Sequence, residues 1–203
     1  MQTICPDELD YYILSGNPNS MAPSYLHKAI KEFWESEWTK IFQKIDSGFR
    51  LDVDDFYRQS RITAIVHHGQ VLGIQTLCDY RLADVFTHRY FQPYTREFIE
   101  ELISRNFKTL QAMQYFLVGE KYGVRATGLN LAAVILGLSF NQQKYFGFDA
   151  TVTLARKDVA SASTAAKFNM FQVGADIQMH NVPVGQLLCL EPSRHPRAEV
   201  ASM

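Results

Sequence analysis

The sequence predicts one α/β domain with a mixed, mostly antiparallel central sheet of about six or seven strands, flanked by helices. Three observations carry this prediction. Short β-branched and aromatic runs alternate with longer segments whose apolar residues recur at helical spacing. Two strand-like runs meet at His68-Gly69 and two more close the chain, which predicts antiparallel pairs. No linker, low-complexity segment or internal repeat divides the 203 residues, a length that suits one large domain. The domain is expected over residues 1–192, with a loose polar tail over 193–203.

Each element follows from its own residues. LDYYIL (Leu9 to Leu14) reads as a strand that ends in the turn SGNPNS. Ser24 can cap the next helix, where Leu26, Ile30, Phe33, Trp34, Trp38, Ile41, Phe42 and Ile45 form one apolar stripe. Asp46-Ser47-Gly48 ends it, and the acidic connector LDVDDFYRQ follows. ITAIV and VLGIQTL then form a hairpin, and Thr95 to Phe107 an amphipathic helix. Leu110 to Val118 is a strand with a continuous apolar end, hence central. Leu129 to Phe146 is a helix apolar around much of its circumference. Ala150 to Arg156 is a strand, Ser161 to Phe171 a helix ended by Gly174, and Asp176 to Val182 and Gly185 to Pro192 two closing strands.

Composition narrows the function classes. With 47% hydrophobic and 20% charged residues the chain has the profile of an ordinary globular protein. A formal net charge of −1 offers no bulk attraction to nucleic acid or to an anionic membrane. No apolar run reaches the roughly 18 residues of a membrane span. The N-terminal MQTICPDELDYY lacks the basic and apolar segments of a secretory signal. Cys5, Cys78 and Cys189 are odd in number and without metal-like spacing, so a reduced, cytoplasmic protein is expected.

The stretch VGEKYGVRATGLNLAAVI (Val118 to Ile135) sets a glycine-rich turn between a strand and a helix. A helix start presents unpaired N–H groups and a partial positive charge, and small residues let a phosphate approach them. Gly123, Ala126 and Gly128 give that access, and Lys121 and Arg125 add charge. The stretch matches neither a Rossmann fingerprint nor a P-loop. A tight connection with solvated cations is the competing reading. His67 and His68 invite a metal or catalytic reading, but an exposed polar turn is the better one, and no metal is expected.

The layout from LDYYIL to LLCLEP resembles the GNAT acyltransferases, the Gcn5-related N-acetyltransferases. Laid on the family's Gln/Arg-x-x-Gly-x-Gly/Ala loop, the stretch fits in two ways. One puts Gly123, Ala126 and Gly128 at the motif positions; the other reads Arg125-x-x-Gly128-x-Asn130. Downstream, Ser163-x-x-Ala166-x-x-x-Met170 is similar to the family's Asn-x-x-Ala-x-x-x-Tyr, with Met170 in place of the tyrosine that protonates the leaving thiolate. Ser161, Ser163 or water then stands in for it. The aromatic first helix, acidic connector and hairpin are more loosely similar to acyl-homoserine-lactone and N-acyl amino acid synthases.

The resemblance implies acetyl-CoA or a longer acyl-CoA as co-substrate, or acyl carrier protein as donor, and a small-molecule or peptide amine as acceptor. It implies a pantetheine arm along Phe116, Leu117 and Val118, with the Val118 N–H or a neighbour as oxyanion donor. The phosphates fall to Lys121, Gly123, Val124, Arg125, Ala126, Thr127 and Gly128, with Ser163 also on the donor. Glu120 is the implied base, against the alternative of a solvent-facing loop carboxylate. Asp79 and Tyr80 line the acceptor side, or simply end a strand. The aromatic stretch YRLADVFTHRYFQPY walls a pocket or packs as core. A non-catalytic acyl-CoA sensor or interaction module of the same fold is the reading from another class, and a homodimer stays open.

Overall fold

A computed structural model describes residues 4–17 and 24–190; the expected tail over 193–203 lies outside these, as does the Ser24 side chain. The strands are β1 (Leu9–Leu14), β2 (Arg61–His67), β3 (Gln70–Arg81), β4 (Thr109–Val118), β5 (Ala150–Arg156), β6 (Phe171–Gln172), β7 (Ile177–Met179) and β8 (Val182–Leu190). The helices are α1 (Ser24–Ile45), α2 (Asp54–Tyr57), α3 (Arg96–Ser104), α4 (Val124–Thr127), α5 (Leu131–Phe146) and α6 (Ser161–Ala166). The sheet has eight strands in the order β1-β2-β3-β4-β5-β8-β6, with β7 paired to β8. It is open and mixed, and the expected α/β class holds with two short strands more than the lower count.

The contacts divide into two units. Met1–Cys78, Met113–Ser139 and His180–Val182 form the first; Asp79–Ala112, Phe140–Met179 and Pro183–Met203 form the second. In the first unit, β1 pairs antiparallel with β2 and β2 with β3. The β2–β3 turn is two residues, His68 at φ 48° and Gly69 at φ 77°, the type I′ geometry that matches strand twist. Every residue of β2 is buried, so the hairpin is covered on both faces. The apolar stripe of α1 lays Leu26, Ile30 and Trp34 on Phe56, Ile62, Ala64, Val66 and Ile74. A second cluster joins Ile65, Leu72, Tyr122, Leu131 and Ile135. The acidic connector contains α2, whose Phe56 is fully buried in the α1 cluster.

In the second unit, β5 pairs antiparallel with β8 over its whole length. The first residues of β4 and β5 run the same way. The Asp149 N–H donates to the Thr109 carbonyl (3.1 Å), and two residues further along each, Gln111 Nε2 donates to Thr151 Oγ1 (3.3 Å). The Asp149 carboxylate also accepts from the N–H groups of Lys108 and Thr109 (2.8 and 3.0 Å).

Two boundaries differ from expectation. The helix expected up to Phe107 stops at Ser104, because Asn106 takes a left-handed φ of 53°. The helix expected over Ser161 to Phe171 stops at Ala166. Asn169 is left-handed at φ 63°, and Phe171–Gln172 then pairs with Leu188 and Leu187 as β6. In α5, Val134, Tyr145 and Phe146 reach solvent, so its apolar circumference is not all core.

The aromatic stretch after β3 packs largely as core. Tyr80 stacks on Tyr90 (5.6 Å), and Phe91, Tyr94 and Phe98 continue the cluster, while Phe86 is exposed. Burial, helped by the neighbouring Tyr90, pushes the Tyr94 phenol well above its ordinary value of 10.0. A raised folded value gives stability that is full below the unfolded value and lost as pH rises through the folded one. Alkaline unfolding is therefore expected to set in above about pH 10. Tyr94→Phe should flatten that slope in a pH-stability series, at a cost of about 0.5–1.5 kcal/mol for the lost Tyr90 hydrogen bond.

Candidate active site

The site is built where β4 leaves the sheet. Leu117 is buried and Phe116 and Val118 are half-buried. The Gly119 N–H donates to the Leu72 carbonyl (3.0 Å). A Cβ on Gly119 would stand 3.0 Å from Tyr122 Cδ2 and 3.2 Å from the Phe33 ring, so this corner leaves little room for a side chain. Glu120–Tyr122 forms a 3-10 turn closed by the Tyr122 N–H on the Gly119 carbonyl (2.8 Å). The turn drives the Tyr122 ring into the core and leaves Glu120 and Lys121 exposed beside it. Both line a cleft of about 580 Å³ together with Phe33, Glu37, Lys40 and Val71.

The loop that follows separates residues spent on the fold from residues that are not. Gly128 takes φ 76°, a conformation only glycine adopts without strain. Thr127 is buried. Its hydroxyl donates to the Gly123 or Leu129 carbonyl (3.3 and 3.2 Å) and accepts the Leu129 N–H (3.2 Å), so it holds the turn together. Asn130 caps α5, its Oδ1 accepting the Ala133 N–H (3.1 Å). The N–H groups of Ala126 and Thr127 go to the Gly123 carbonyl, and that of Gly128 to Val124.

Gly123 is different. Its φ of −61° suits any residue, and a Cβ there would meet nothing closer than the Glu120 carbonyl at 3.9 Å. Among the described residues, the N–H groups of Gly123, Val124 and Arg125 find no acceptor. The Lys121 and Arg125 side chains are exposed and make no ion pair among the described residues; the Lys121 Nζ stands 4.9 Å from the Tyr122 ring. The turn thus presents free donors and cations around one open glycine.

Tyr115 was not legible as special. It lies in the middle of β4 at φ 40°, a genuine outlier for an aromatic residue. Such strain persists only where surroundings impose it. Here the Tyr115 hydroxyl donates to Asp55 (2.7 Å), and its ring packs edge-on against Trp34 (5.3 Å) and Trp38 (5.4 Å). Gln75 Nε2 donates to the carbonyl of the preceding Gln114. The strand is continuous from Thr109 to Val118, but its extended backbone is interrupted at Tyr115. No glycine or proline marks the break, so the sequence carries no signal for it.

The remaining expected site residues fall in the second unit. Asp79 is exposed at the end of β3, and Tyr80 belongs to the aromatic core described above. Ser163 is exposed on α6, its hydroxyl donating to the Ala160 carbonyl (3.0 Å). Met170 is 4% exposed and packs with Ala155, Ala165, Leu187 and Cys189, so this position supplies apolar surface and no proton.

No family model and no curated protein matches the chain. Solved structures do. A mosquito arylalkylamine N-acetyltransferase-like protein aligns with a TM-score of 0.64 at 13% identity, covering 90% of this chain and 100% of its own. NAA60 of Arabidopsis thaliana, solved in complex with acetyl-CoA, aligns with a TM-score of 0.60 at 13% identity, over 90% and 98% of the two chains. FeeM, an N-acyl amino acid synthase from uncultured soil microbes, aligns with a TM-score of 0.57 at 10% identity, over 91% of each chain. At these identities the likeness is one of architecture. The chain has the fold of the GNAT N-acyltransferases.

Proposed function

We propose that the protein is an N-acyltransferase that passes an acyl group from acyl-CoA, or from acyl carrier protein, to a primary amine. The observation that carries the reading is Gly123. Neither its φ nor its packing asks for glycine, yet it sits over three unspent N–H groups flanked by Lys121 and Arg125. Free donors, cations and the absence of a side chain are what a diphosphate needs. Val124 and Ala126 complete that rim, and Phe116, Leu117 and Val118 offer the strand edge for the acyl arm.

The chemistry is attack of an amine nitrogen on the thioester carbonyl carbon. The C–N bond forms, the C–S bond breaks, and the thiolate leaves. Holding both substrates lowers the entropic part of the barrier, and an N–H at Val118 would polarise the carbonyl. Glu120 takes the proton from the amine, directly or through water. The leaving thiolate takes its proton from solvent.

Thermal unfolding against CoA thioesters from acetyl to palmitoyl, with free CoA as reference, tests this. A ligand at a hundredfold its Kd should raise Tm by about 5–10 °C for a chain of this size. A shift that saturates at acetyl supports an acetyltransferase. A shift that grows with chain length supports a long-chain N-acyl amino acid or homoserine-lactone synthase, a reading kept open by the likeness to FeeM over 91% of each chain. No shift with any CoA compound, and none with an acylated carrier protein, sinks the proposal and leaves a non-catalytic module.

Two glycine variants sharpen the test. Gly123→Val should leave the unfolding stability within about 0.5 kcal/mol of wild type, as an exposed substitution, and weaken donor binding by about tenfold or more. Gly128→Ala should do the reverse in part, costing about 1–2 kcal/mol of stability through its positive φ. If Gly123→Val binds the donor as wild type does, the diphosphate does not sit on this turn.

A further inference from the structure

We infer that Glu8, His67 and His68 form a binding site for a divalent late transition metal of the zinc class. All three lie in the first unit, and none is among the residues given to acyl transfer above. The antiparallel register pairs Leu9 with His67, which brings Glu8, the last residue of the 3-10 turn Pro6–Glu8, beside the β2–β3 turn. One ligating atom from each residue lies within 4.8 Å of the other two. His67 Nε2 and Glu8 Oε2 are 3.5 Å apart. Two ligands on one tetrahedral zinc, each about 2.0–2.2 Å from the ion, stand about 3.4 Å apart, so this edge of the site is already set.

The third ligand is held by the hairpin. His68 occupies a turn position with φ 48°, where asparagine or glycine would be less strained. Its ring lies 4.1 Å from that of His67, at 49°. A simple ion pair would account for Glu8 and His67 alone. A shared cation accounts for all three. His67 is 9% exposed, while Glu8 and His68 are exposed, so their side chains have room to rotate. Two imidazoles and one carboxylate suit zinc, cobalt, nickel or copper and disfavour magnesium and calcium, which take oxygen ligands. Three protein ligands leave a fourth position for water. The bound ion would clip the start of β1 to the β2–β3 turn.

Titration of the full-length, tag-free chain with Co2+ tests the site. The expected result is saturable 1:1 binding with the strong visible absorption of a tetrahedral cobalt centre, displaced by one equivalent of Zn2+, together with a rise in Tm. His68→Asn and Glu8→Gln should each weaken binding by about tenfold or more while leaving the metal-free Tm unchanged. Asparagine fits the left-handed turn, and glutamine keeps the shape of the glutamate, so neither variant threatens the fold. Absence of saturable binding by both Co2+ and Zn2+ to the wild type overturns the inference. So does an affinity that neither variant changes, since the ion would then sit elsewhere.

Discussion

Glu120→Gln is expected to lower turnover by about 10²–10⁴-fold while leaving Tm and acyl-donor binding close to wild type. The reasoning starts from position. Glu120 opens the 3-10 turn directly after β4, exposed, and lines the cleft with Phe33, Glu37, Lys40 and Val71. Among the described residues its carboxylate has no hydrogen-bond or ion-pair partner to lose. An amide of the same shape therefore removes the proton acceptor and nothing structural. The loss should appear in kcat, and it should shrink as pH rises and more of the amine is already deprotonated. Full activity with an amine panel would dismiss Glu120 as base. Glu32 and Glu37, which line the same cleft, would be the next to replace, although each already faces a lysine, Lys28 at 3.7 Å and Lys40 at 2.5 Å.

Trp34→Ala should cost about 3–5 kcal/mol, measured by urea unfolding. That is a large share of the roughly 5–15 kcal/mol that holds a domain together. Trp34 is fully buried at the centre of α1, between Phe56 (5.3 Å) and Tyr115 (5.3 Å). Removing the indole opens a cavity among Ile30, Phe56 and Ile62. It also removes one of the two tryptophans that hold Tyr115 at φ 40°. The variant is thus expected to weaken donor binding as well, because β4 can relax toward an ordinary extended strand where the acyl arm is proposed to lie. Trp34→Phe, which keeps a ring on Tyr115, should recover much of the affinity with a smaller loss of stability. If Trp34→Ala loses stability and binds the donor normally, the kink in β4 does not depend on that contact.

The aromatic stripe of α1, the His68-Gly69 hairpin, β1 and the central run of β4 were all legible in the sequence, because each depends on local periodicity or turn chemistry. So was the glycine-rich turn, since its small residues stand between a strand run and a helical run. Helix ends at Asn106 and Asn169 were missed because asparagine at a left-handed φ looks like any polar residue until neighbouring strands claim the chain. The two-residue β6 exists only through its pairing with β8.

The sequence by itself determined the class of fold and the place of the candidate loop. Only the tertiary structure separated the residues of that loop. Thr127, Asn130 and Gly128 serve the turn, through hydrogen bonds and φ, while Gly123 and its unspent N–H groups serve no visible packing need. Only the tertiary structure revealed the break at Tyr115, which rests on contacts with Trp34, Trp38 and Asp55 far away in the chain. It alone brought Glu8 to His67 and His68. Each is a long-range juxtaposition, set by sheet register and helix packing, and local periodicity carries no information about either.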